Sequence, residues 1–139
     1  MLSVIPLWAL LTCAVVAYKG PDPPEPFYWS TDCWTSDIHW MGEDANGNPE
    51  IQHKEGSGFE YDWMLTKTVC EHSYHLTAQY LKGRCVAATY DSPIQLPNFD
   101  AECQNFAKGG FYQIASDGLP DFNRKYMGLA QGHGYKYGT

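Results

Sequence analysis

Short stretches in which apolar and polar residues alternate predict four β-strands in this chain. The first lies at 33–41, the second at 74–80, the third at 84–90 and the fourth at 111–115. The dipeptide Lys82-Gly83 supplies a tight turn between the second and third stretches. These two strands are therefore expected to form a hairpin.

Two further stretches carry apolar residues at helical spacing. Ser57 and Glu60 form a capping box, in which each side chain bonds a backbone amide of the first turn, and this predicts a helix over 57–73. Asn98 is of a type favoured at helix N-caps, which predicts a second helix over 98–108. The apolar stripes that the helices would bury consist of Phe59, Trp63, Thr66 and Cys70 in the first and of Phe99, Cys103 and Phe106 in the second.

The order of these elements is strand, helix, strand, strand, helix, strand, which predicts an α+β fold of the split βαβ type. Right-handed crossovers place the strands of such a fold in the order 4-1-3-2. The expected architecture is therefore a ferredoxin-like sandwich, in which a four-stranded antiparallel sheet carries both helices on one face.

This domain is expected to occupy 27–116. Residues 1–17 are an apolar run that ends in short side chains, which predicts a cleaved secretory signal peptide. Residues 18–26 contain four prolines and are expected to form an extended leader. Residues 117–139 are rich in glycine and tyrosine and lack periodicity, so they are expected to be a flexible tail. The protein is thus expected to be secreted and extracellular.

Removal of the signal peptide takes Cys13 away and leaves an even number of cysteines, which in a small exported chain predicts two disulfides. Zinc ligation is disfavoured because the cysteines do not form closely spaced pairs. In the predicted topology the first helix lies over the third strand and the second helix over the first strand. Among three possible connectivities, this favours Cys70 with Cys85 and Cys33 with Cys103.

The charge of the chain disfavours polyanionic partners. The formal net charge is −7, and residues 22–62 hold ten acidic side chains against one lysine. An acidic protein without a basic patch is poorly suited to nucleic-acid phosphates or to anionic lipid head groups. We therefore expect no nucleic-acid partner and no stable membrane association, and no motif indicates a cofactor.

The long connection after the first predicted strand contains a weak candidate for a calcium site. Pro49 stands where an EF-hand loop needs glycine for its sharp turn, and proline cannot adopt the positive φ required there. A hairpin around Asn46-Gly47 is therefore the favoured interpretation, and no metal site is predicted. The oxygen-bearing residues at EF-hand spacing are Asp44, Asn46, Asn48 and Glu55.

A secreted ribonuclease-like hydrolase would need an acid and a base together with a cation near the phosphate. Histidines near the end of a helix are favourable through the helix dipole alone, so their presence does not indicate catalysis. The zinc-protease pattern H-E-x-x-H is absent from the sequence. No catalytic set is therefore predicted, although the required residue types occur at His39, Glu71, His72, His75 and Arg84.

Several short motifs resemble those of small secreted fungal proteins of the killer-toxin-like effector class, whose fold is similar to that of the viral killer toxins of smut fungi. The resemblance covers 28–116. Besides the signal peptide, it is carried by Cys33 on the first strand, Thr66 four residues before Cys70, the Gly-x-Cys at Gly83 to Cys85, and Phe99 four residues before Cys103.

The resemblance implies a non-enzymatic, secreted, effector-like protein that acts in virulence or antagonism. We expect a monomer that binds an unidentified host or competitor protein and has no catalytic residues. Two alternatives are a small secreted hydrolase, ribonuclease-like in the first instance, and a membrane-active killer toxin.

Overall fold

The long strand β2, Ser30–Glu43, is the centre of the structure, a computed structural model that describes residues 22–43, 45–53 and 58–136. Two helices, α1 at Trp63–Ser73 and α2 at Leu96–Gly109, accompany it. The other strands in the described residues are β1 Phe27–Tyr28, β3 Pro49–His53, β4 Glu60–Tyr61, β5 Ala78–Leu81, β6 Arg84–Ala87, β7 Ile94–Gln95, β8 Phe111–Ile114 and β9 Pro120–Tyr135.

The main sheet is large, curled and antiparallel, and its main path has the order β5-β6-β2-β9-β8. The short strands β3 and β4 pair with β2 on the same edge as β6, further along the strand. A separate two-stranded sheet joins β1 to β7. The prediction of a four-stranded ferredoxin-like sandwich is therefore wrong, although the described residues form a mixed α/β fold with two helices and two disulfides.

The error arises from the C-terminal segment 117–139, for which the sequence predicts a flexible tail. Most of it is β9, the longest strand in the described residues, and β9 pairs with β2 on one side and with β8 on the other. Its glycines permit close packing. A Cβ atom at Gly132 would lie 2.9 Å from the Cα atom of Asp100 in α2, and one at Gly134 would lie 2.5 Å from the Tyr28 ring.

Helix α1 begins later than the capping box predicts. Its N-cap is Asp62, whose Oδ1 accepts a hydrogen bond of 3.0 Å from the Leu65 amide. Glu60 belongs to strand β4, so the predicted start of the helix at Ser57 is wrong, and Ser57 itself lies outside the described residues. Within the predicted stripe, Thr66 and Cys70 are buried, whereas Phe59 and Trp63 are exposed.

Both disulfides join a helix to a strand beneath it. Cys33 in β2 is bonded to Cys103 in α2, and Cys70 in α1 is bonded to Cys85 in β6, which is the pairing that the sequence favours. All four cysteine side chains of these disulfides are completely buried. The largest fully buried side chains around them are Phe99, Phe111, Leu65 and Val69.

Two predicted hairpins are present. β5 and β6 pair across Lys82-Gly83, and β3 pairs with the second half of β2 across a turn that contains Asn46-Gly47. Asn46 and Asn48 of the calcium candidate lie in that exposed turn, whereas Asp44 and Glu55 lie outside the described residues.

The two ends of the described chain meet beside β1. Lys136 Nζ donates hydrogen bonds to the carbonyl oxygens of Pro23 at 2.9 Å and Phe27 at 2.7 Å. Part of the predicted leader, 18–26, is therefore attached to the domain, whereas 1–17 lies outside the described residues. Neither helix in the described part of the chain combines the length and apolarity needed to cross a membrane.

Candidate functional site

A groove of about 440 Å³ lies where β4, the β5–β6 turn and the first residues of α1 meet. Its polar lining comes from Asp32, Lys82 and Arg84. We call it the aromatic groove because its lining contains five aromatic side chains, namely Trp34, Tyr61, Trp63, Tyr80 and Tyr135.

The strand register places a row of polar, ionisable residues on the sheet face that the aromatic groove borders. Thr31 pairs with Cys85, and both are buried under the helices, so the next residues along, Asp32 and Arg84, face the opposite side. On the other edge of β2, Asp32 pairs with His133 of β9. The three residues therefore form a cross-strand row in the order Arg84, Asp32, His133.

The Asp32 carboxylate is held by its neighbours. It is only 3% exposed, and its Oδ1 accepts hydrogen bonds from Trp34 Nε1 at 2.8 Å and from the Tyr135 hydroxyl at 3.2 Å. Its Oδ2 lies 3.8 Å from Arg84 Nε. Burial raises the pKa of Asp32, and this outweighs the opposite effects of the hydrogen bonds and of the nearby Arg84 and His133 charges.

Ring contacts orient three of the five aromatic side chains of the groove, namely Trp34, Tyr61 and Tyr135. The Arg84 guanidinium lies over the Tyr135 ring with its carbon 3.5 Å from the ring centroid, which is a cation–π contact. Trp34 stacks on His133 at 4.8 Å between centroids and meets Tyr61 edge-on at 6.2 Å. These contacts reduce the rotamer freedom of the side chains, so the shape of the groove is largely preformed.

The turn at Lys82-Gly83 brings the cationic residues next to Tyr61. Both turn residues have positive φ, +50° and +84°, which is typical of a two-residue type I′ turn. The Tyr61 hydroxyl donates a hydrogen bond to the Gly83 carbonyl oxygen. Burial, followed by hydrogen bonding with Tyr80, raises the pKa of Tyr61 well above its ordinary value, so this hydroxyl stays protonated.

A second cavity of about 210 Å³ lies on the other side of Tyr61 and Trp63. Ile38, Met64 and Tyr126 form much of its apolar wall. Tyr61 is 41% exposed and Trp63 is 42% exposed, so the two rings form a ridge between the cavities.

No protein-family model, curated protein or solved structure matches this chain. The resemblance to killer-toxin-like effectors therefore remains an expectation from short motifs. The two disulfides are consistent with a secreted or extracellular protein. Among the described residues, no group of three or more histidine, cysteine or acidic side chains is arranged to hold a metal ion.

The residue types considered for a hydrolase do not come together as a set. Glu71 is ion-paired with Lys67 on α1, and the His72 ring meets Phe106 edge-on. His75 is exposed in the turn after α1. His39 lies beyond the β-bulge of β2, where the register shifts between Ser36 and His39. Arg84 is the one member of this set that lines the aromatic groove.

Asp32 and His133 are not among the candidate site residues that the sequence predicts. Asp32 stands one residue before the predicted first strand, and His133 lies in the segment predicted to be flexible. One pattern in the sequence could have indicated a strand here. Gln131, His133 and Tyr135 are polar or aromatic residues two positions apart, and residues at i, i+2 and i+4 line one face of a strand.

Proposed function

We propose that the protein is a secreted, effector-like, non-enzymatic protein that binds a host or competitor protein through the aromatic groove. The single observation that carries this proposal is the concentration of aromatic side chains and Arg84 around one preformed groove. Disulfide bonding supports action outside the producing cell, where such bonds persist.

The composition of the groove is that of a protein-binding surface. Tryptophan, tyrosine and arginine dominate the residues whose truncation weakens protein–protein complexes most. Tyr61 and Trp63 offer large apolar rings, each of which has only two side-chain torsions to immobilise on binding. The Tyr61 side chain is also anchored by its hydrogen bond to Gly83. The ridge that these rings form is suited to insertion between side chains of a partner.

The environment of Asp32 favours binding over turnover. A catalytic carboxylate must reach the reacting atoms, whereas Asp32 is almost completely buried and accepts hydrogen bonds from Trp34 and Tyr135. These bonds fix two of the rings that line the groove. We therefore assign Asp32 to the organisation of the binding surface.

The proposal is tested by affinity capture with the tagged, disulfide-bonded protein from extracts of candidate host or competitor organisms. Trp63→Ala removes half of the exposed ridge, and Leu76→Ala is the matched control because Leu76 is 85% exposed and lies outside the groove. We expect a partner that is recovered by the wild type and by Leu76→Ala but is lost with Trp63→Ala. Equal recovery by all three proteins would contradict binding through the groove.

The ribonuclease-like alternative is supported by one observation, the row of Arg84, Asp32 and His133 on neighbouring strands. It contains an acid, a base and a cation, which are the groups that phosphodiester cleavage requires. Incubation with a defined RNA distinguishes the two functions. Cleavage that is abolished by both Asp32→Asn and His133→Ala would establish the hydrolase, whereas intact RNA after prolonged incubation supports a binding protein.

A further inference from the structure

Two cationic side chains, Lys82 and Arg84, line the aromatic groove. Lys82 and Arg84 flank Gly83, whose carbonyl oxygen receives the Tyr61 hydroxyl. Arg84 Nε lies 3.8 Å from Asp32 Oδ2, which is too long for a hydrogen bond. Within the residues that the structure describes, neither cation donates a hydrogen bond to the protein. Their N–H groups are therefore available to a ligand.

The groove has a positive charge balance even though the whole chain is acidic. Asp32 carries the single carboxylate among the described residues that line the groove, against the two cations Lys82 and Arg84. This carboxylate is buried, and its Oδ1 accepts hydrogen bonds from Trp34 and Tyr135. The two cations outnumber the carboxylate, so an anionic ligand would complement this lining.

Apolar ring surface lies next to these cations. The Tyr61 ring reaches Gly83 between Lys82 and Arg84, and the Trp63 ring lies beside Tyr61 on the same ridge. Both rings are substantially exposed, so a planar aromatic group of a ligand could pack against either ring while a charged group attached to it reached the cations.

We propose that the aromatic groove binds an aryl phosphate, a phosphate group carried directly on an aromatic ring. A phosphate ester bears about −1.5 to −2 charges at neutral pH, which matches two cations. The planar guanidinium of Arg84 holds two phosphate oxygens, and Lys82 contributes a point charge. The inference rests on the proposed function, because on a partner protein this group is a phosphorylated tyrosine side chain.

The probe for this site is phenyl phosphate, titrated into the full, disulfide-bonded chain at neutral pH while backbone amide and indole N–H signals are followed by NMR. Phenol supplies the ring without the charge, and inorganic phosphate supplies the charge without the ring. We expect phenyl phosphate to bind at least tenfold more tightly than either control, with shifts concentrated at 82–84 and at Trp63. Equal binding of phenyl phosphate and inorganic phosphate, or shifts outside the groove, would overturn the proposal.

Two arginine variants make the test specific. Arg84→Gln is expected to lower the affinity for phenyl phosphate at least tenfold. Arg124→Gln is the matched control, because Arg124 also lies beside an aromatic ring, with its guanidinium carbon 5.3 Å from the Trp40 centroid, but does not line the groove. Unchanged affinity in Arg84→Gln would overturn the proposal. If this variant does not fold, Lys82→Gln decides, with a loss of at least threefold expected and no loss overturning the proposal.

The capture experiment and the phenyl phosphate titration can give opposite results. If capture of a partner depends on Trp63 but phenyl phosphate does not bind, the aryl phosphate proposal is wrong and the proposed binding function stands. If phenyl phosphate binds in an Arg84-dependent way but no Trp63-dependent partner is captured, the ligand class stands and the proposed function is wrong.

Discussion

The hydroxyl of Tyr61 occupies the space that a side chain at position 83 would need. It donates a hydrogen bond to the Gly83 carbonyl oxygen, and a Cβ atom at position 83 would lie 2.7 Å from it. The β5–β6 turn and strand β4 are therefore held together by a contact that only glycine permits. This contact places the cations of the turn beside the ridge of the aromatic groove.

Gly83→Ala is expected to destabilise the fold more than the conformational cost of positive φ alone. Gly118→Ala is the control, since Gly118 has φ +81° and a Cβ atom added there would have no other atom within 4 Å. The control should cost about 1 kcal/mol for its backbone conformation. Gly83→Ala should cost about 1 kcal/mol more, because Tyr61 must move and lose its hydrogen bond. Urea unfolding of both variants measures the difference, and equal costs would contradict the role of Tyr61.

Asp32 should make stability fall as the pH rises. Its pKa in the folded protein is raised above the ordinary value of 3.8, so the folded state retains a proton that the unfolded state has lost. Unfolding free energy therefore decreases from about pH 4 up to the raised pKa, with a slope of at most about 1.4 kcal/mol per pH unit.

Asp32→Asn removes this contribution to the pH dependence of the unfolding free energy. The asparagine side-chain oxygen can still accept hydrogen bonds from Trp34 and Tyr135. The stability difference between wild type and variant, measured by denaturant unfolding at a series of pH values, isolates Asp32 from the other carboxylates. We expect the wild type to lose stability relative to the variant as the pH rises. A constant difference across this pH range would show that the pKa of Asp32 is not raised.

The disulfide with the longer loop should contribute more to stability. Cys33–Cys103 joins residues 70 positions apart, and Cys70–Cys85 joins residues 15 apart. The chain-entropy estimate gives about 4 kcal/mol for the first and about 3 kcal/mol for the second. Paired cysteine-to-alanine variants, compared by urea unfolding, measure both values. A larger loss from removing Cys70–Cys85 would contradict this order.

Lys136→Met should loosen the attachment of the N-terminal segment. The variant leaves the carbonyl oxygens of Pro23 and Phe27 without their charged donor, at a cost of about 1 kcal/mol in this partly exposed setting. Amide hydrogen exchange at Phe27 to Trp29 should accelerate more than exchange in the helices. Lys108→Met, an exposed lysine at the end of α2, is the control and should leave that exchange unchanged.

The sequence predicts the local elements well and the sheet incompletely. The hairpin at Lys82-Gly83 follows from turn chemistry, and the helix stripe of Phe99 and Cys103 follows from periodicity, because both depend on neighbouring residues. The predicted start of α1 is wrong because Ser57 and Glu60 satisfy a capping pattern that pairing of β4 with β2 overrides.

The predicted strand order 4-1-3-2 corresponds to β8-β2-β6-β5, and the structure retains this order with β9 inserted between β8 and β2. Because β9 is antiparallel to both neighbours, β8 runs in the same direction as β2 rather than opposite to it. Helix α1 still packs on β6, whereas α2 packs mainly on the inserted strand β9 and also contacts β2. Both helix cysteines therefore remain within bonding distance of the expected strand cysteines, and the pairing agrees with the expectation. The strand β9 is missed because its glycines are typical of flexible segments. Composition alone does not show that Gly132 and Gly134 are glycine because a helix and the Tyr28 ring pack against them.

The position of β9 also determines when the protein can fold. Strand β9 follows the other described elements in the chain but lies inside the sheet, so the sheet cannot be completed until residues 120–135 have left the ribosome. Until then, the edge of β2 at 30–41 is unpaired and open to association with other chains. Cys33 and Cys103 are both synthesised before β9, so their disulfide can form first and hold α2 next to β2 while β9 inserts.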